Sequence, residues 1–232
     1  MEPPWVLISV LSLIHISSLT ATSGTGGVYL NNTGSAILKA IDTTGSLVAT
    51  TTGNLTLGDI KTGASAVLTS ALGNIVDDGV DATTVATSSL TLAAVNGTIG
   101  TGARSLKTNA STLSAVSSGG VYLDSTSSNL NITQAQAANA AINITGAGSV
   151  SANNVSSGGG AVNLTGNSIS AGQVNAGSGN VTLTARAGSI TGTSASLITG
   201  NVVTLLAPAS NPCVQNFFLF LRSPMNIIID RF

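Results

Sequence analysis

Across positions 141–200 the chain places apolar residues singly or at alternate positions, between runs of Gly, Ser, Asn and Thr. "AINITGAGSVSANNVSSGGG" (141–160) is followed by "AVNLTGNSISAGQVNAGSGN" (161–180). Each unit holds three short pieces. They are "INIT", "SVSA" and "NVSS" in the first unit, and "VNLT", "SISA" and "QVNA" in the second. "VTLT", "SITG" and "SLIT" follow in the third. Alternation at period two marks a strand with one buried face. Gly and Asn between the pieces supply turns, because both tolerate left-handed backbone angles. The pattern argues against helix. The apolar residues do not recur at three and four, and Gly, Ser, Thr and Asn disfavour helix interiors.

The strand-like cores recur along the chain. They read "LTL" at 55–57 and 90–92, "VYL" at 121–123, "INI" at 142–144, "VNL" at 162–164, and "VTL" at 181–183 and 203–205. The last four start 20, 19 and 22 residues apart. A longer echo pairs "GGVYLNNTGS" (26–35) with "GGVYLDSTSS" (119–128). Three strands and three corners in about twenty residues, then a repeat, predict an all-β fold. The expected architecture is a right-handed parallel β-helix, a solenoid of about 20-residue coils. Its inward columns should be Ile142–Val162–Val181, Ile144–Leu164–Leu183 and Val150–Ile169–Ile190, with a less regular fourth, Val155–Val174–Leu197. Outward neighbours such as Asn143, Asn163 and Thr182 stay polar. About nine coils at the inter-strand spacing would make a rod of about 45 Å. An antiparallel sandwich of short strands is the alternative, but a sandwich has no need of a repeating unit. The repeat region is expected over 24–206, between an atypical N-terminal segment (1–23) and an atypical tail (207–232).

Composition sharpens this picture. Only 6% of residues are charged and the net charge is −1, so no electrostatic attraction to nucleic acid or acidic lipid is expected. Hydrophobic residues reach 43%, which disordered chains do not carry. Cys213 is the only cysteine, so no intrachain disulfide can form. Strand stacking must supply the stability instead.

The ends differ from the middle. Trp5 and His15 lie in the first fifteen residues, and all four Phe lie in the last sixteen. The opening "MEPPWVLISVLSLIHISSLTATSG" has an apolar run like a signal-peptide core. It lacks a basic leading region, and "LTA" is a poor cleavage site. It reads equally as an artificial terminus.

Units such as "GNVTLTARAGSITG" (179–192), "AVNLTGNSISAG" (161–172) and "SLTLAAVNGTIGTG" (89–102) resemble the repeats of filamentous-haemagglutinin-like exoproteins and autotransporter adhesins of Gram-negative bacteria. The resemblance covers about 24–206. It implies export across the outer membrane, often through a partner transporter, and a long surface filament used in adhesion to a glycan or protein of a host or neighbouring cell. The family's N-terminal secretion domain is not recognisable, so the chain is expected to be a central piece of a larger adhesin.

Candidate chemistry is sparse. His15 and Cys213 lie outside the repeats, which disfavours a Ser–His or Cys–His site. The acidic cluster "VDDGVD" contributes Asp77, Asp78 and Asp81. A β-helical polysaccharide lyase or hydrolase would draw on such carboxylates, and calcium suits them too. A solvated turn is the simpler reading, and their spacing matches no calcium loop. No catalytic, cofactor-binding or metal-binding residue is assigned. Sequons such as those at Asn54, Asn96 and Asn180 follow from composition. Tyr29 and Tyr122 are the only aromatics in the repeats. They should face outward, where they could cover the strand or stack on a sugar. "TLT" (182–184) and "TGT" (191–193) hint at an ice-binding solenoid, without recurring in register.

Overall fold

The computed structural model describes residues 18–80 and 84–208, together with the backbones of strands Val6–Ser9, Phe218–Leu219 and Asn226–Arg231. The described regular elements are all strands. They form one continuous parallel sheet, wound into a solenoid of about nine turns. Each strand pairs with the equivalent strand of the next coil, so its backbone groups are satisfied from above and below.

Every coil has three sides. In the C-terminal half, the first side is built from Ile142–Gly146, Val162–Gly166 and Val181–Ala185. The second and third sides are the opening and closing halves of Ser149–Ser156, Ile169–Asn175 and Ile190–Thr199. In the N-terminal half, the third side comprises Val28–Asn32, Leu47–Thr51 and Ser65–Ser70.

The inner wall is a set of ladders. On the first side Ala36, Leu55, Ile75, Ile99, Val121, Ile142, Val162, Val181 and Val203 stack in order. All are essentially inaccessible to solvent. Ile144–Leu164–Leu183 and Val150–Ile169–Ile190 form the expected second and third columns. The ladders form because a parallel in-register stack brings equivalent alternate residues together, coil after coil.

Two expectations are corrected. The fourth column runs Val155–Val174–Ile198, whereas Leu197 pairs with Gln173. The register shifts after Ala171 because the next coil carries extra residues at 193–196. They form a small loop, in which the Thr193 N–H donates to Ser196 Oγ at 2.6 Å and that hydroxyl donates to the Ala171 carbonyl at 2.6 Å. The two "LTL" segments also lie on different sides. Leu90 stacks on Ala66 of the third side, while Leu55 stacks on Ile75 of the first.

The proportions of the coil change along the rod. In the N-terminal half the third side has three inward residues (Leu47, Ala49, Thr51) and the first side two (Leu55, Leu57). In the C-terminal half the first side has three (Ile142, Ile144, Gly146). The transfer happens at a bulge: Leu113 pairs with Ile132, but Ser114 pairs with Gln134, leaving Thr133 as the extra residue. The Thr133 hydroxyl donates to the Leu113 carbonyl at 3.0 Å, which secures the bulge.

Buried hydroxyls finish the corner between third and first sides. Thr51, Ser70 and Ser117 donate to the carbonyls of Gly53, Gly53 and Gly119 at 2.9, 2.7 and 2.7 Å. Ser157 donates to the Gly160 carbonyl in the same way. Each hydroxyl meets a corner carbonyl that the ladder leaves free, as burial of a polar group requires.

Candidate functional site

Charge is concentrated near the middle of the rod, where two coils carry extra residues. After strand Ile75–Asp77 the chain leaves the wall, and a second excursion follows Gly100. In the second, Thr101 and Arg104 close a tight turn by reciprocal backbone hydrogen bonds of 2.8 and 3.1 Å. That turn aims Arg104 at the coil below, where its Nη1 lies 3.3 Å from Asp77 Oδ1. The Asp77 side chain is only 3% exposed, while that of Arg104 is 46% exposed. The same carboxylate oxygen accepts the Gly79 N–H at 2.8 Å, and Asp78 Oδ1 accepts the Val80 N–H at 3.0 Å. Both described members of the acidic cluster therefore shape their own turn, as Asp does in loops. Asp77 additionally clasps the two excursions together. Asp81 lies outside the described residues. Lys107 pairs in register with Asp124 beside this region.

The two tyrosines occupy different sides. Tyr29 is on the third side and Tyr122 on the first. Each ring lies back along its own strand, over the glycine two residues before it. A Cβ on Gly27 would sit 3.0 Å from Tyr29 Cε2, and one on Gly120 would strike the Tyr122 ring. Tyr122 also covers Gly102 of the second excursion, 3.6 Å from where its Cβ would be. The second glycine of each "GGVYL" copy thus provides the flat seat that the ring needs.

A groove of about 540 Å³ crosses the second side of four successive coils. Its walls are two polar columns, Asn129–Ser149–Ser168–Ser189 and Asn131–Ser151–Ser170–Thr191, with Leu130, Val150 and Ile169 beneath. Its lining contains no ionisable side chain. The sequence carried a signal for it in the recurring triplets "NLN", "SVS", "SIS" and "SIT". Side-chain bonds tie coil to coil along it: Ser168 bonds Ser149 at 2.8 Å, and Asn153 Nδ2 donates to Asn131 Oδ1 at 2.9 Å.

The asparagines of the sequons serve coil-to-coil contacts. Asn54 Oδ1 accepts the Asn74 N–H at 2.8 Å, Asn96 Nδ2 donates to the Ala71 carbonyl at 2.9 Å, and the Asn201 amide donates to Asn180 at 3.4 Å. Among the described residues no group of three His, Cys, Asp or Glu side chains is placed to hold a metal ion. His15 and Cys213 lie outside the described residues.

No protein-family model matches the chain, and neither a curated protein nor a solved structure matches it. The functional reading therefore rests on the molecule's own geometry and on the repeat pattern.

Proposed function

We propose that the chain is a non-enzymatic stalk segment of a large secreted or surface-exposed bacterial adhesin of the filamentous-haemagglutinin-like kind. The observation that supports this reading is the first-side ladder from Ala36 to Val203, which runs through successive coils. In such a stack, each coil adds one increment of length and contacts only its neighbours. The length of the rod is then set by the number of coils, which is what a spacer needs. About nine coils give about 43 Å at the inter-strand spacing.

On this reading the partners are an outer-membrane transporter during export and a glycan or protein on a host or neighbouring cell. The location is the bacterial surface or the medium. The test places a reporter binding domain at the far end of the chain on a bacterial surface, with coil 142–161 either deleted or duplicated. A stalk keeps the reporter functional in both versions, and its reach changes with coil number. Loss of reporter binding on deletion of one coil, or reach unrelated to coil number, overturns the reading.

A further inference from the structure

Near its middle the rod is joined unequally on its different sides. On the third side, residues 89–94 pair along their whole length with Ser65–Ser70 below and with residues 112–117 above. On the first side the same coil is reduced to Ile99, which bridges Ile75 below and Val121 above. The Gly100 N–H donates to the Ile75 carbonyl at 2.8 Å, and the Tyr122 N–H to the Ile99 carbonyl at 2.7 Å. Beyond that bridge the chain leaves the wall and rejoins it at Leu106, which pairs with Leu123 above. Among the described residues of this strand, Thr108 is the first to regain a register partner below, Val85. Two coils further on the wall is whole again, where Val121–Ser125 pairs along its length with Ile142–Gly146.

The apolar column breaks at the same place. Leu38–Leu57 and Leu106–Leu123–Ile144 form the second inward column of the first side below and above the gap. Between them Asp77 stands above Leu57, on the face of its strand that Ile75 also uses. A buried carboxylate paired with Arg104 thus replaces the leucine of the neighbouring coils. Gly79 and Gly100, where the chain departs from the wall, adopt φ of +91° and +64°, which glycine does without strain.

We propose that the rod bends at this coil. The first side opens, the third side acts as the hinge, and the Asp77–Arg104 ion pair is the latch. Opening the first side here separates one bridging residue from each neighbour, whereas elsewhere it would break a full ladder. Local openings draw on such sparsely bonded regions. The latch is electrostatic, so salt weakens it, while the apolar columns on either side are not screened. The irregularities at Leu113/Ser114 and Ala171/Gln173 differ, because pairing resumes on both flanks of each. The bend does not rest on the stalk reading, since it concerns how the two halves of this chain move, whatever the rod carries.

The test uses spin-label pairs in the full chain, in a Cys213→Ser background. Thr56→Cys with Asn143→Cys spans the gap on the first side, four coil steps apart. Thr50→Cys with Gln136→Cys spans the same coils on the third side, also four steps apart. Asn143→Cys with Thr204→Cys lies wholly beyond the gap. With the latch closed at low ionic strength, both four-step pairs should give narrow distributions near about 19 Å. Arg104→Ala should broaden the Thr56–Asn143 distribution and move it longer by about 5 Å, one inter-strand spacing. The other two pairs should not change, and Arg104→Lys should restore the parent distribution. Concentrated sodium chloride should produce the same shift in the parent, without any substitution. Circular dichroism confirms that the variants stay folded. An unshifted Thr56–Asn143 distance in Arg104→Ala or in concentrated salt overturns the proposal. So does an equal shift in all three pairs, or a failure of Arg104→Lys to restore the parent distribution.

Discussion

Val174 pairs with Ile198 across adjacent coils, although Leu197 is the residue that spacing alone would have chosen. Ile198 is fully buried, and Leu197 is partly exposed. Replacing Ile198 with Ala should cost about 2–4 kcal/mol, through lost transfer energy and a cavity. Replacing Leu197 with Ala should cost less than about 1 kcal/mol. Urea unfolding midpoints of the two variants check the order, and equal costs would contradict the register.

The Asp77–Arg104 pair joins two excursions that are 27 residues apart in sequence. Arg104→Ala leaves the buried Asp77 carboxylate without its cation and should cost about 2 kcal/mol, less in high salt. Asp77→Ala should cost a similar amount, about 2 kcal/mol, since the Gly79 N–H loses its acceptor. Chemical denaturation at low and high ionic strength measures both effects.

At the corner after the third side, Gly158 adopts φ +65° and a Cβ there would strike the Ala138 carbonyl of the coil below. Its neighbour Gly159 is less crowded: the nearest atom to its Cβ would be the end of the Asn139 amide at 3.3 Å, a side chain that needs to give only slightly. Gly158→Ala should therefore destabilise by at least about 2 kcal/mol. Gly159→Ala should stay within about 0.5 kcal/mol of the parent. Thermal unfolding of the pair separates conformational strain from a general loss of glycine.

The period-two alternation and the twenty-residue unit make three of the four columns legible in the sequence. This holds where units have equal length, as at Ile142, Val162 and Val181. It fails where a unit gains residues. The four residues 193–196 move the inward position from Leu197 to Ile198, and nothing local distinguishes two adjacent apolar residues. The identical triplets at 55–57 and 90–92 mislead for a related reason. A strand's own pattern shows which residues face inward, but not which side of the coil it occupies. Of the outward rows on the first side, Asn143–Asn163–Thr182 follows from the same alternation, whereas the threonine row beside it is hidden because the motif is mixed. Asn-Ile-Thr, Asn-Leu-Thr and Thr-Leu-Thr look unlike one another until the ladder lays Thr145, Thr165 and Thr184 in one row. The Asp77–Arg104 clasp leaves no local trace at all, because it depends on which loops adjacent coils bring together.

Spin-label distances along one column test the stacked-coil account most directly. Labels at Asn143→Cys and Thr204→Cys, in a Cys213→Ser background, are three coil steps apart, by way of Asn163 and Thr182. Labels at Thr56→Cys and Thr204→Cys are seven steps apart, by way of Val76, Gly100, Tyr122, Asn143, Asn163 and Thr182. The account predicts backbone separations of about 14 Å and about 34 Å, rising in proportion to coil number. A Thr56–Thr204 separation no longer than the Asn143–Thr204 one would contradict it.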